Sequence, residues 1–436
     1  MIQKPKGTYD VYGEYGKKIL YIRNLLENLM ESYNYEYFRT PIFEAKELFH
    51  RGVGDTSDIV TKETYDFFDR GNRENTLRPE GTAGIVRSFI ENKMYGNHIV
   101  PVKAWYFGPN FRYERPQSGR FREFYQFGVE VLGTVSPAAD AEVISIPVNL
   151  YKLLGLKGIK VNINTLGDNE SRNNYREALK EYFKTYLDDL CEDCRARFEK
   201  NPLRILDCKV DNNKEYFKNA PRTIDCLNDE SKKYFEDVKK YLEAMNIDYV
   251  VNPSVVRGLD YYTHTVFEVE AAVEGFGAQN VLCGGGRYDK LVENLGGPET
   301  PGVGFALGME RLLTALEFEK IELPIDDSLD CYIAPMADNN LSYSLTILNA
   351  LRLSGFKADI DYNSRNLKAN FKQADRLNAK FIIIIGDDEE KANILTIKNN
   401  ITKEEYKVNL SELVFFFDEK LSGDECSCGD CHCHHE

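Results

Sequence analysis

Two strand-forming runs flank a cationic loop, and few folds accommodate all three. HIVPVKAWYF (98–107) is dense in β-branched and aromatic residues, and FYQFGVEVLG (124–133) repeats that character. Between them RYERPQSGR has the charge, glycine and proline of a loop. The runs are expected to pair as a hairpin, which commits this part of the chain to antiparallel sheet. At 436 residues the chain is too long for one ordinary core, so two or three domains are expected.

Residues 14–32 carry Ile19, Ile22, Leu25, Leu26 and Leu29 at helical spacing, which predicts an amphipathic helix. AADAEVISIPVNLYKLLG predicts a second helix, kinked or restarted at Pro147, where a backbone donor is lost. GIKVNINTLG is a further strand. From about 170 to 235 the chain turns polar and helical and has the look of an insertion, with Cys191, Cys194, Cys208 and Cys226 scattered through it. Strand character resumes at DYVVNPSVV and continues through RGLDYYTHTVFE (257–268); a helix is expected from near Ala306, in LGMERLLTALEF. LPIDDSLD (323–330) is a polar linker. Beyond it CYIAPM, LSYSLTILNALRL, KADIDY, LKANFKQADRL and FIIIIG alternate strand and helix, the pattern of a small α/β domain.

The net charge of −15 argues against a protein that coats nucleic acid through a global basic field. Local phosphate contacts survive, because exposed charges more than a Debye length apart are screened from one another. No apolar run approaches a membrane span, and MIQKPKGTYD lacks the charged-then-apolar pattern of a signal peptide. A cytoplasmic protein is expected, its ten cysteines thiols or metal ligands rather than disulfides.

FRYERPQSGRFREF (111–124) holds Arg112, Arg115, Arg120 and Arg122. The guanidinium fork suits phosphate, while a solvated hairpin tip with paired surface charge fits these residues equally well. In LRPEGTAG (77–84) an acid and a hydroxyl beside a Gly-Thr turn either receive an ammonium group or cap a helix starting at Thr82; capping is favoured on these residues alone. GGGRYD (284–289) and PGVGFALGMER (301–311) place glycines where backbone can approach a ligand, and the second ends in Arg311. Neither has Walker or Rossmann spacing, which excludes the usual nucleotide folds. No Ser/His/Asp arrangement is evident, and His50, His98 and His264 are expected to be structural.

Taken together these stretches are far more specific. A strand, FRxE, an arginine-rich loop and a strand, followed downstream by a Gly-rich strand and the stretch GVGFALGMER (302–311) opening a helix, resemble motifs 2 and 3 of class II aminoacyl-tRNA synthetases. YNYEYFRTPIFE (33–44) looks like motif 1. GDTSDIVTKETYDFFDRGNRENTLRPEGTAG (54–84), RFREFYQFGVEVLG (120–133) and RGLDYYTHTVFE are similar to histidyl-tRNA synthetases in particular. The resemblance covers about residues 1–420. It implies an α+β fold: a class II antiparallel-sheet catalytic domain over 1–325 with the helical insertion at about 170–235, a C-terminal α/β anticodon-binding domain over 329–420, and a Cys/His-rich tail over 421–436. Two departures stand out: Pro147, and Asn370 where glutamine is more usual before Phe371 and Lys372.

The family reaction joins histidine to ATP as an adenylate and passes the acyl group to tRNA(His). The attacking carboxylate is already ionised, so the step needs alignment and charge stabilisation rather than a general base. By the match, Arg112, Arg257 and Arg311 would be catalytic: Arg112 at the α-phosphate and substrate carboxylate, Arg257 as a second positive charge there, Arg311 at the γ-phosphate. Glu114 and Arg120 would join them at ATP, with Phe124 stacking on adenine. Glu80, Thr82 and Gln126 would surround the α-ammonium of histidine, and Glu130 and Tyr262 would read its imidazole beside Tyr261. Arg112 and Arg257 complete the histidine set.

Arg115, Gln117 and Arg120 would meet the tRNA acceptor end. Lys368, Lys372 and Arg376 either face the anticodon or are plain surface charge. ATP with Mg²⁺ and a homodimer paired through motif 1 are further implications, and no editing insert is evident.

The tail, CSCGDCHCHHE, offers Cys426, Cys428, Cys431, Cys433, His432, His434 and His435, a density that suits Zn²⁺ or another soft ion, or else a tail with no specific metal. In the insertion Cys191, Cys194, Cys208 and Cys226 form either a zinc knuckle or incidental thiols. Three readings compete with the enzyme: a non-catalytic, synthetase-like regulatory subunit of ATP phosphoribosyltransferase, a synthetase-like module of a kinase, and a pure RNA- or metal-binding protein. The first typically lacks the C-terminal domain and the full arginine set; the second needs a kinase domain for which there is no sequence; the third has no use for a histidine pocket.

Overall fold

The computed structural model describes residues 1–53, 59–97, 99–115, 120–200, 202–206, 208, 210–211, 213–255, 261–271, 280–363 and 365–421. They divide into two compact units, Met1–Leu323 and Pro324–Glu436.

In the first unit the strands are β1 (Glu36–Tyr37), β2 (Phe43–Ala45), β3 (Tyr65–Phe68), β4 (Glu74–Leu77), β5 (Val102–Phe111), β6 (Glu123–Leu132), β7 (Ile159–Thr165), β8 (Val250–Val251), β9 (Thr263–Ala271), β10 (Val281–Arg287) and β11 (Gly302–Gly308). Among the described residues, eight of them form one sheet in the order β1-β5-β6-β11-β10-β9-β7-β8, and β2-β4-β3 form a small second sheet. The expected hairpin is β5 and β6, paired antiparallel from Val102↔Leu132 to Phe111↔Glu123. β5 starts after Pro101, which has no backbone donor for the ladder, rather than at His98.

Strand alternation sorts the two faces of the sheet. Trp105, Phe127, Val129, Val131, Val303, Phe305 and Leu307 pack with the helices Gly13–Ser32, Pro137–Leu153 and Met309–Phe318 in the main core. The intervening positions face the other way, toward the helix Thr82–Glu91. There Tyr106, Tyr261, Tyr262 and Tyr288 gather with Ile85, Val86 and Phe89. On β11 that second set is Gly302, Gly304, Ala306 and Gly308, so small residues floor the face that the aromatic side chains ring.

Two expectations need correction. The helix Pro137–Leu153 runs through Pro147 as one element and does not restart. Its first turn is held by the Ser136 hydroxyl, which accepts from the Ala138 amide at 3.3 Å. The stretch from Ala306 to Gly308 is the end of β11, and the helix begins at Met309. In GGGRYD, read for its glycines, Gly284 lines the cavity described below, while the arginine is held within the protein. Arg287 is 1% exposed and donates to Asp140 Oδ1 from Nε at 3.0 Å, with Asp140 itself fully buried.

Between β7 and β8, which pair in parallel, the chain forms the helices Asn169–Lys184, Glu192–Lys200, Glu215–Lys218 and Asp229–Ala244. Most of this excursion has its own small core, with Leu179, Phe183, Leu190, Cys194, Ile205 and Cys208 buried.

The second unit contains β12 (Leu329–Pro335), β13 (Ala358–Ile360), β14 (Ala379–Ile385), β15 (Ile394–Asn399) and β16 (Glu405–Asn409), in the sheet order β13-β12-β14-β15-β16. β12 is parallel to β13 and β14, while β15 and β16 continue antiparallel. Helices Leu341–Leu353 and Leu367–Arg376 fall where the strand–helix alternation placed them. Asn370 is fully buried, donating to the Arg365 carbonyl at 2.9 Å and accepting from the Tyr332 hydroxyl at 3.4 Å. The departure at that position therefore concerns packing, not a surface open to RNA.

Candidate active site

A cavity of about 360 Å³ opens on the glycine-floored face of the sheet. Its walls bring together Glu80, Thr82, Arg112, Glu114, Arg120, Phe124, Gln126, Glu130, Tyr261, Tyr262 and Arg311, residues spread across more than half of the sequence. Arg257 and Gln117 lie outside the described residues, as do Cys426, Cys428, Cys431, Cys433, His432 and His434 of the tail. Arg115 is described; it is exposed and stands apart from the cavity wall.

One end of the cavity is a chain of buried polar groups. Glu80 accepts from the amides of Thr82 at 2.6 Å and Ala83 at 2.9 Å, so its carboxylate caps the helix Thr82–Glu91. The sequence suggested that the acid and the hydroxyl cap a helix starting at Thr82; the helix starts there, Glu80 alone caps it, and the hydroxyl turns to Glu130. Thr82 Oγ1 donates to Glu130 Oε1 at 2.6 Å, and the Tyr288 hydroxyl donates to Glu130 Oε2. Glu130 is fully buried, and burial pushes its carboxyl up to about 8, against the stabilising hydroxyls of Thr82 and Tyr288. Burial also raises Glu80, opposed by its two amide donors.

Glu130 can occupy this position because its β11 neighbour is glycine. It pairs with Gly304, where a Cβ would sit 1.9 Å from Glu130 Oε2. Likewise a Cβ on Gly302 would come within 2.3 Å of the Tyr288 ring. The glycines flagged in PGVGFALGMER thus make room for side chains of the site as well as for any ligand backbone contact.

The motif 2 residues cluster around cations. Arg112 Nε donates to the Pro79 carbonyl at 2.9 Å, and its guanidinium lies 5.2 Å from the Phe124 ring centroid. Burial lowers its pKa while Glu114, Glu63 and Glu80 oppose the shift, and an arginine stays charged throughout. Arg120 lies 3.5 Å from Glu114 in a half-exposed ion pair, the kind an anionic ligand readily reorganises. Arg311 reaches the Val281 carbonyl at 2.9 Å. Gln126 Oε1 accepts from the buried Asn110 side-chain amide at 2.7 Å and has a second lone pair for a ligand donor.

Sequence reasoning gave no role to the wall residues Tyr288, Glu310 and Glu268. Tyr288 and Glu310 lie within motifs it singled out, GGGRYD and PGVGFALGMER, and Glu268 ends the quoted RGLDYYTHTVFE. Glu310 accepts from the Tyr125 amide at 2.7 Å and from the Tyr9 hydroxyl, clamping the N-terminal segment to β6. His264 is stacked on Tyr234 at 4.7 Å and 3.9 Å from Asp289, a structural setting in which burial lowers its pKa.

Comparison with known proteins agrees over nearly the whole chain. The family profile described as Histidyl-tRNA synthetase matches residues 7–312, and the profile described as Anticodon binding domain matches residues 330–420. The histidine–tRNA ligase of Geobacillus sp. (strain WCH70) is 54% identical over 420 residues, covering 96% of this chain and 99% of that one. The histidine–tRNA ligase of Anoxybacillus flavithermus (strain DSM 21510 / WK1) is 52% identical over 412 residues, covering 94% and 97%. The crystal structure of apo S. aureus histidyl-tRNA synthetase superposes with a TM-score of 0.83 at 46% identity, covering 96% of this chain and 100% of that one.

Proposed function

The chain belongs to the histidyl-tRNA synthetase family, and from that premise we propose how its cleft performs the ligation of histidine to tRNA(His) with ATP. The observation that carries the proposal is the buried chain Glu80–Thr82–Glu130–Tyr288 sharing one cavity with Arg112, Phe124 and Arg311. Among the described residues no histidine lines the cavity that holds both the proposed amino-acid pocket and the proposed anion-binding wall.

In this reading histidine enters with its α-ammonium against Glu80, Thr82 and Gln126. Its imidazole reaches Glu130 and Tyr262 beside Tyr261. Glu130 keeps a proton near neutrality, and so does one imidazole nitrogen, so acid and ring share protons that either can carry. An analogue without those nitrogens leaves buried polar groups unpaired, which is the basis of rejection by roughly 10⁴–10⁵ in sites of this kind. Arg112 holds the histidine carboxylate against the α-phosphorus of MgATP, and Arg311 draws off charge at the far phosphate. Phe124 carries the adenine, with Glu114 and Arg120 at its rim. Arg257 supplies the second charge at the α-phosphate. The work is alignment and charge stabilisation, as the ionised nucleophile requires.

The second unit, matched by an anticodon-binding profile, serves the tRNA, and Arg115 and Gln117 serve its acceptor end. A homodimer through motif 1 is supported by the apolar surface there: Tyr37, Ile42, Phe43, Phe67 and Phe68 are each at least 39% exposed. The regulatory-subunit alternative is not favoured, because the similar curated chains are ligases over nearly their whole length. Among the described residues no helix is long and apolar enough to cross a membrane.

Pyrophosphate exchange into ATP, run with each amino acid in turn, tests the reading. Exchange with histidine alone supports it, exchange with another amino acid overturns it, and none at all points to the regulatory subunit.

A further inference from the structure

The insertion contains a second cluster of reactive side chains that the cleft does not use. Cys191 and Cys194 are separated by two residues, and so are Cys208 and Asp211. One ligand atom from each of the four lies within 4.8 Å of the others. Cys226, the fourth cysteine of the stretch, is not part of the group, which corrects the knuckle expected from cysteines alone. We infer that Cys191, Cys194, Cys208 and Asp211 form a tetrahedral site for a single zinc ion.

The spacing fits the metal. Two sulfurs bound to zinc at about 2.3 Å in tetrahedral geometry lie about 3.8 Å apart. Cys191 Sγ and Cys208 Sγ are 3.7 Å apart, too far for a disulfide and matched to that edge. Three sulfurs and one carboxylate oxygen are a donor set that favours zinc over harder ions.

The surroundings fit as well. Asp211 is 1% exposed, and a carboxylate withdrawn from water needs a cation. Lys214 Nζ supplies one charge at 2.8 Å from Oδ1, and the Cys191 amide donates to Oδ2 at 2.8 Å. Each carboxylate oxygen has a second lone pair left for a metal. The Asp211 amide in turn donates to Cys208 Sγ at 3.3 Å, orienting that sulfur as outer hydrogen bonds orient metal ligands. The two ligand pairs thereby hold each other before any ion arrives.

There is also a structural need. The ligands sit among short elements, the helix Glu192–Lys200 and the 3₁₀ turn Pro202–Ile205, around a core of ten buried residues that includes the ligands Cys194 and Cys208. A small core of that kind gains disproportionately from a metal staple. Because the sequence places these ligands in an excursion between β7 and β8, the ion would order the insertion and leave the chemistry of the cleft alone.

The test uses the full-length chain with the tail ligands replaced (Cys426→Ser, Cys428→Ser, Cys431→Ser, Cys433→Ser, His432→Ala, His434→Ala, His435→Ala), so that bound metal reports on the insertion. Elemental analysis should find about one zinc per chain, and cobalt exchanged for it should give thiolate-to-metal charge-transfer absorption. Adding Cys208→Ser should abolish both. Should that variant fail to fold, Asp211→Asn carries the test, with zinc affinity in chelator competition expected to fall at least tenfold, and Asp211→Cys expected to retain the ion. A tail-replaced chain that binds no zinc, a Cys208→Ser chain that keeps it, or a Cys191–Cys208 disulfide in peptide maps would each overturn the inference.

Discussion

A carboxylic acid withdrawn from water either finds a cation or keeps its proton, and Glu130 meets two hydroxyls and a second carboxyl, Glu80. Its proton is held up to about pH 8 in the fold, whereas the unfolded chain releases it near the ordinary value of 4.5. Between those values the folded state binds more protons, so this residue's contribution to stability is full at low pH and declines as pH rises. Glu130→Gln keeps the shape and removes the titration. Its melting temperature should match the wild type near pH 5 and exceed it by a few degrees near pH 9, reflecting an effect on the order of a few kcal/mol. The same variant should lower kcat/KM for histidine about 5- to 150-fold, as expected when a buried imidazole nitrogen loses its matched partner. Equal melting at both pH values would place the proton elsewhere. The position of Glu130 on a strand was legible in FYQFGVEVLG. Its environment was not, because Thr82, Tyr288 and Gly304 approach it from elements remote in sequence.

At the scale of elements, the buried pair Asp140–Arg287 joins the helix Pro137–Leu153 to β10. Arg287 Nη2 lies 2.5 Å from Asp140 Oδ1, and the Tyr234 hydroxyl donates to Oδ2 at 3.0 Å from the helix Asp229–Ala244. Three elements thus meet on one carboxylate. Asp140→Ala should destabilise the first unit by about 3–5 kcal/mol, because it strands a buried guanidinium. Asp140→Leu combined with Arg287→Met should recover most of that loss. Denaturant unfolding of the single and double variants checks both, and additive losses would show that the two residues are not coupled. This pair marks a limit of reading one sequence. GGGRYD is read for its glycines, and nothing local reveals that its arginine will find an aspartate 147 positions away. The hairpin, the amphipathic first helix and the strand–helix alternation of the second unit were legible, since each rests on periodicity within a short window. In the insertion, counting cysteines found three of the four clustered ligands and missed Asp211, because a carboxylate leaves no mark in a cysteine count.

For the molecule as a whole, an acidic protein that binds RNA must concentrate its cations, and the helix Leu367–Arg376 offers one such face. Lys368, Lys372 and Arg376 are exposed on it at fourfold spacing, while Asn370 and Ala374 are buried on the other side. Replacing all three with alanine should leave stability within about 0.5 kcal/mol, since no buried contact is lost. Histidine-dependent pyrophosphate exchange needs no tRNA and should be unchanged. Aminoacylation should suffer in KM for tRNA, and the form of the loss is diagnostic. Each phosphate contact to single-stranded RNA contributes about 0.7 to the slope of log affinity against log salt, so three lost contacts flatten it by about 2. A raised KM with an unchanged slope would mean that the helix acts through base edges or packing rather than phosphates. An unchanged KM would make these residues ordinary surface charge and move the RNA-binding face elsewhere on the second unit.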